Sequence, residues 1–436
     1  MSQSTSSQSD SSHSQAKENE APNLPAPETV GYKQLALMEG FPPPAEKLVT
    51  RGDYLIKYPK LRWAFQHMRE LIPSRQIRRG TGPVSELPVG DNRQQEIDAI
   101  RFDLADGSSM TFAQFLQSNY TDACIIVHRG KVIYETYPNQ PDPLNLHMLW
   151  SVTKSVTGLV ACMLIEEGVI DPQALVTDLV PELAESGWAN ATVQQVLDMT
   201  ADVNYSEIYS EGTSDVIRYG LSAGITQSTK HPAPACLYDY LPTIGGAREH
   251  GQFFSYRTVH TEVLGWLIRR ASGKEMAAHI TERIWSKLGA EEDALILLDA
   301  HGTEWAGAGL NASLRDLARL TEMLRNNGRW NGQQIIPESI VKEIGKGADK
   351  AAFADYGRVG MDGYSYHNQW WVTHNADGVY EAMGVHGQLL HINPAAELTV
   401  VRTASHPVAS NDFTYETTRI ALEALATHLR EEDQVK

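Results

Sequence analysis

Residues 149–168 constrain this chain more than any other stretch. Val156, Leu159, Val160, Cys162, Met163, Leu164 and Ile165 follow one another with almost no polar break. Gly168 closes the run, and Asp171-Pro172 keeps it from resuming. A helix that apolar belongs in a core. Yet its opening turn carries Ser151 and Lys154, three residues apart and so on one helix face. Burying an ammonium is costly unless it is paired or gives up its proton. A desolvated lysine has a lowered pKa and becomes a base; a serine beside it becomes a nucleophile. The helix N-terminus adds backbone N–H groups where an oxyanion could form.

The string Ser-x-x-Lys is common, and this chain holds two controls. Ser14-Gln15-Ala16-Lys17 sits in a Ser/Gln-rich tail, and Ser339-Ile340-Val341-Lys342 follows Pro337 at a short, solvated helix. Only Ser151 precedes a long buried helix, so context singles it out.

A net charge of −17 disfavours a nucleic-acid groove or an anionic membrane surface as partner. No apolar run is long enough to span a bilayer, and no basic-then-apolar leader opens the chain, so the expectation is a cytoplasmic protein. The 436 residues, 42% hydrophobic, are enough for a large core. Cys124 and Cys162 sit in apolar runs and read as buried small hydrophobes, with Cys236 far from both. With no Cys-x-x-Cys or His-Glu-x-x-His, a zinc site has little support.

Residues 1–28 lack aromatics and cannot offset their chain entropy, so a disordered tail is expected. Residues 29–120 read as a wrapping N-terminal extension with one helix near 63–72. Residues 123–128 and 131–137 flank Arg129-Gly130 and predict a β-hairpin. Between 171 and 299 the patterns are mostly helical: a capped start at Thr192, then 262–271 and 275–288. Ser313 opens an amphipathic helix that Asn327-Gly328 stops; strands return at 369–372, 387–392 and 398–403, and 415–430 is a last helix. The simplest packing joins early and late strands (121–170 with 300–436) in one antiparallel sheet. The first long helix and the last helix cover its faces. The middle forms a mainly helical second lobe, and the cleft between lobes holds the site.

These motifs resemble the serine β-lactamase/penicillin-binding-protein superfamily. The likeness is to its class C-type branch of esterases, D-aminopeptidases and DD-peptidases, and within it to the 6-aminohexanoate-dimer hydrolases. It spans roughly 120 to 430. Ser151-Val152-Thr153-Lys154 is similar to the first family motif. Tyr256-Arg257-Thr258, followed by Glu262-Val263-Leu264-Gly265-Trp266, is similar to the second, with Thr258 where many members have Asn. The resemblance implies an α/β fold of the β-lactamase/transpeptidase type and makes Tyr256 the third catalytic group. A tyrosine beside a cationic lysine can relay a proton. Residues 380–388 stand in place of the third motif without its Lys-Thr-Gly, which argues against a dedicated penicillinase. The second oxyanion N–H would fall near Ala382, joining that of Ser151. Tyr209, Trp370 and His386 would line the pocket. His386 and His391, five apart on one expected strand, would face opposite ways and make a poor metal pair.

Gly220-Leu221-Ser222-Ala223-Gly224 satisfies the nucleophile-elbow string, but no buried strand leads into it and loop chemistry follows. The expected reaction is therefore a Ser151 acyl-enzyme hydrolysis of a linear amide or ester, without metal or organic cofactor. The rivals are a carboxylesterase, a D-aminopeptidase or DD-peptidase, a weak β-lactamase with the same three residues, and a non-catalytic ligand-binding module on the same fold. The partner is a small molecule; a homodimer is left open.

Overall fold

The main antiparallel sheet joins the early and late parts of the chain. The structure is a computed structural model describing residues 24–27, 30–51, 58–209, 215–225, 233–410, 412 and 414–435. The strands are β1 (Thr121–His128), β2 (Lys131–Thr136), β3 (Ser365–His367), β4 (Trp370–Val372), β5 (Tyr380–Gly384), β6 (Gln388–Asn393) and β7 (Leu398–Ala404). Their spatial order is β3-β4-β5-β6-β7-β1-β2. The seam is β7 on β1, running from Leu398 opposite His128 to Ala404 opposite Thr121. Arg129 and Gly130 turn β1 into β2 with φ of 53° and 73°, the left-handed pair that a two-residue hairpin needs.

Period-two alternation decides what packs on each face. Ile125, Val127, Leu390 and Val401 face one core; Cys124, Ile126, Leu389 and Val400 face the other. The first core receives α1 (Val152–Glu166), α2 (Thr258–Ser272) and α3 (Leu314–Arg325). The second receives Phe112, Phe115 and the apolar side of α4 (Tyr415–Val435), including Leu422, Leu425 and Leu429. The expectation that the first long helix and the last cover opposite faces holds; α3 shares the first face with α1.

Two features differ from the sequence reading. The helix expected near 63–72 is two short ones, Leu61–Ala64 and Met68–Leu71. His67 breaks them: at φ −134° it stacks on Trp63 at 3.9 Å and hydrogen-bonds the Trp63 carbonyl oxygen. A second antiparallel sheet also appears, ordered Ser74–Ile77, Ala294–Leu297, Leu310–Ala312, His147–Met148. Strands of two to four residues are too short to show a period. The tail expected at 1–28 lies largely outside the described residues. Among the described residues, no helix is long and apolar enough to cross a membrane.

Helix α1 is buried along nearly its whole length, but its polar residues are all used. Thr153 Oγ1 accepts the Leu310 N–H, Thr157 Oγ1 donates to the Ala306 oxygen, and Ser155 Oγ donates to the Gln369 oxygen. Gly158 lets α1 approach the next layer: a Cβ there would lie 2.5 Å from the Asn368 oxygen and 2.8 Å from Gln369 Cβ. Both are parts of a buried loop that has no room to move. Gly158→Ala is expected to lower unfolding free energy by about 1–3 kcal/mol through overpacking, read from urea denaturation.

Candidate active site

Strand His147–Met148 leads through Leu149 and Trp150 into α1. Trp150 has φ 49°, a left-handed conformation that a bulky side chain rarely adopts. This sharp entry sets Ser151 at the N-cap of α1, with its own φ/ψ already helical. A cavity of 540 Å³ opens above it, lined by Glu207, Tyr256, Arg358, Trp371, Gly384 and Val385 among others.

Lys154 is 1% exposed. Its Nζ donates to Ser151 Oγ at 2.9 Å and to the Gly307 oxygen at 2.8 Å. Tyr256 lies on the chain just before α2; its hydroxyl hydrogen-bonds Ser151, and the Lys154 Nζ sits 5.2 Å from its ring centroid. The three sequence-predicted catalytic residues therefore meet at one point. Burial pulls Lys154 down to about 8, partly opposed by the Glu207 and Glu262 carboxylates. Burial pushes the Tyr256 hydroxyl up, while the Ser151 hydrogen bond pulls it back. A lysine thus poised can take the serine proton near neutral pH, and the tyrosine can shuttle a proton on the other side.

Residues the sequence reading passed over hold this arrangement. Glu262 on α2 is 2% exposed and accepts from the Tyr219 hydroxyl at 2.7 Å and from the Ala306 and Gly307 N–H groups at 3.0 Å. It thereby holds the backbone on the N-terminal side of Gly307, the residue whose carbonyl receives Lys154. Desolvation raises its own pKa. Glu207 accepts from the Thr258 N–H at 2.9 Å and from the Thr258 hydroxyl. Thr258 therefore has a partner of its own. Gln369 is fully buried and ties three elements: its side chain accepts from Thr261 Oγ1 at 2.7 Å and donates to the Leu197 oxygen, and its carbonyl receives Ser155. Glu262 stood in the quoted Leu-Gly helix motif, and a charge at an otherwise buried helix position was the available signal.

The three residues expected to line the pocket and the expected oxyanion residue Ala382 fare differently. Tyr209 lines the cavity and donates to Glu207 Oε1 at 2.9 Å. Trp370 does not: it is fully buried under the sheet against Tyr380, and its neighbour Trp371 lines the cavity and stacks on Tyr256 at 5.3 Å. Strand alternation explains the one-residue error. His386 does not either. Strand β5 ends at Gly384, and His386 sits in the tight turn 385–387 with φ 64°. It packs on Phe65 and Trp150 and hydrogen-bonds the His406 oxygen; burial lowers it to about 4. His386 and His391 are thus not on one strand. Ala382 lies inside β5 opposite Leu390, with its methyl in the core, and Met383, Gly384 and Val385 form the cavity wall instead. Gly384 is needed there: a Cβ would lie 2.5 Å from the Leu149 oxygen.

The alternatives lose their footing. Ser222 ends the helix Asp215–Ser222 and is fully buried, so no strand presents it. Lys342 is 62% exposed and pairs with Glu338 on a surface helix. A larger cavity of 940 Å³ between the sheet and α4 has no serine, cysteine or lysine among its described lining residues. Its charged residues Arg430 and Asp377, and Arg419 and Glu423, pair with each other.

Residues 111–425 match the family model described as Beta-lactamase. This chain belongs to that family. Its relatives include the 6-aminohexanoate-dimer hydrolase of Paenarthrobacter ureafaciens, 34% identical over 351 residues, covering 80% of this chain and 86% of that one. Among solved structures, one from Bacillus anthracis, provisionally named a 6-aminohexanoate-dimer hydrolase, superposes with TM-score 0.81 at 32% identity, covering 89% of this chain and 99% of its own. A family VIII carboxylesterase shares the Beta-lactamase fold at TM-score 0.50 and 18% identity, over 73% of this chain and 95% of that one.

Only neutral Lys154 can accept the Ser151 proton. In a pH profile, kcat/KM is expected to rise through a limb near pH 8, well below the ordinary lysine value of about 10.4. Glu262→Gln removes a charge that favours the ammonium, so the same limb moves to lower pH. The linked stability change has the same root. From about pH 8 to the unfolded value the unfolded chain holds a proton that the folded chain releases, so stability from this group rises with pH across that window.

Proposed function

We propose that this chain is a serine hydrolase that opens a linear amide of the 6-aminohexanoate-dimer type through an acyl-enzyme on Ser151. One observation carries the reading: a buried Lys154 Nζ 2.9 Å from Ser151 Oγ, with the Tyr256 hydroxyl on the same serine, at the floor of a cavity. Ser151 Oγ attacks the amide carbon as its proton passes to Lys154. The tetrahedral oxyanion meets the Ser151 N–H and the N–H of the Gly384-Val385 turn, in place of Ala382. The C–N bond breaks as the amine takes a proton relayed through Tyr256. Water then attacks the ester, losing its proton to the same relay, and Ser151 is released with its hydroxyl restored.

Charges of both signs on the cavity wall support a substrate with a charge at each end. Glu207, Asp215, Asp355 and Asp412 supply carboxylates and Arg257 and Arg358 guanidiniums, with Arg358 paired to Asp412. A linear dimer of an amino acid carries an ammonium at one end and a carboxylate at the other. The absence of Lys-Thr-Gly at 380–388 weighs against a β-lactam substrate.

A fluorophosphonate probe is expected to label Ser151 and neither Ser222 nor Ser339. Ser151→Ala should lower kcat by about 1,000-fold or more with an unchanged unfolding midpoint. In a panel of 6-aminohexanoate linear dimer, p-nitrophenyl esters, D-aminoacyl anilides and nitrocefin, the dimer is expected to show the highest kcat/KM. Preference for nitrocefin or the anilides would remove the substrate assignment, and unlabelled Ser151 would remove the mechanism.

A further inference from the structure

The third cysteine lies in a candidate ligand set that no spacing motif along the chain announces. Cys236 is the N-cap residue of the helix Leu237–Tyr240, and Asp239 is one turn on. His301 follows the strand Ala294–Leu297 in the turn closed by Gly302 at φ 81°. One thiol sulfur, one carboxylate oxygen and one imidazole nitrogen from these residues lie within 4.8 Å of one another. Cys236 is buried at 4% exposure, while Asp239 and His301 are open to solvent, so an ion can reach them.

A single carboxylate holds the two segments face to face. Asp299 is 2% exposed; its Oδ2 accepts the Leu237 N–H at 2.9 Å, and its Oδ1 accepts the His301 and Thr303 N–H groups at 2.9 and 2.8 Å. The backbone next to each ligand is therefore fixed independently of any ion. Bond lengths of about 2.0–2.3 Å place tetrahedral zinc ligands roughly 3.3–3.8 Å apart, so small rotamer changes close the set. A thiolate, an imidazole and a carboxylate suit zinc among common divalent cations, with water in the fourth position.

We propose that Cys236, Asp239 and His301 form a binding site for a zinc-class divalent cation, which pins the Leu237–Tyr240 turn to the loop after Ala294–Leu297. The cation replaces the Cys236 thiol proton, which leaves to solvent, so affinity rises with pH. The other cysteines cannot substitute: Cys124 and Cys162 are free but sit inside the cores, their thiols pushed up to about 12 by burial. The pinned turn backs the active cavity. The Tyr240 hydroxyl donates to the Asp215 carbonyl oxygen at 3.3 Å, and the Asp215 carboxylate receives the Ser206 N–H on the cavity wall. The site is independent of the serine chemistry and stands or falls without it.

Full-length protein freed of metal with a chelator tests this by titration with Co²⁺ and then Zn²⁺. One equivalent of Co²⁺ is expected to give a near-ultraviolet thiolate charge-transfer band, which Zn²⁺ abolishes. Zn²⁺ should raise Tm by about 2 °C or more. Cys236→Ser should lose the band. His301→Ala, a change at an exposed side chain, should weaken binding by about tenfold or more while unfolding normally without metal. No band at one equivalent, a band that survives Cys236→Ser, or undiminished affinity in His301→Ala would each overturn the site.

Discussion

Everything in the cleft depends on one ammonium taken out of water. Among the described residues, Lys154 has two hydrogen-bond acceptors, the Ser151 hydroxyl and the Gly307 carbonyl, and no carboxylate in direct contact. Two hydrogen bonds of this kind do not repay the desolvation of a full charge, and the balance is met by a lowered pKa. A well-paired lysine would be a structural cation; this one is left short of partners and so is a base. Glu262 stays one peptide away, close enough to be felt electrostatically and too firmly engaged by Tyr219, Ala306 and Gly307 to form the ion pair itself.

The packing around α1 follows from that need. A helix buried on all sides must satisfy each polar residue it carries. Thr153, Lys154 and Thr157 make one polar stripe against the segment 306–310, and Ser155 makes another against Gln369. Those bonds leave the N-terminus of α1 no freedom to rotate. Gly158 and Gly384 let the neighbouring backbone approach where any side chain would hold it off. The left-handed turn at Trp150 is stable only because this surrounding structure over-determines it.

Parts of the site could be read along the chain and parts could not. Ser151 and Lys154 were legible because a three-residue spacing on a helix is a local fact. The strands near 123–137, 387–392 and 398–403 and the helices around them were legible through their patterns. Trp370 and Trp371 are not distinguishable along the chain because nothing local says which face of a three-residue strand meets the cleft. Ala382 and His386 were misplaced because β5 stops at Gly384, and the turn that follows reverses the chain with His386 in a left-handed conformation. A run that reads as continuous strand gives no sign of that break.

The sequence alone determined the amphiphilic contradiction at 151–168, a serine and lysine at the mouth of a helix too apolar to sit at the surface. It also determined the alternating strands that build the sheet, because both are set by interactions a few residues long. Tertiary structure alone decided which residues meet that serine and lysine. Tyr256, Gly307 and Val385 come from three segments far apart in sequence, and Cys236 is separated from His301 by more than sixty residues. Their meeting depends on strand register and helix docking. Those are fixed by the sum of many weak burial contacts across the whole chain, which no short window of sequence contains.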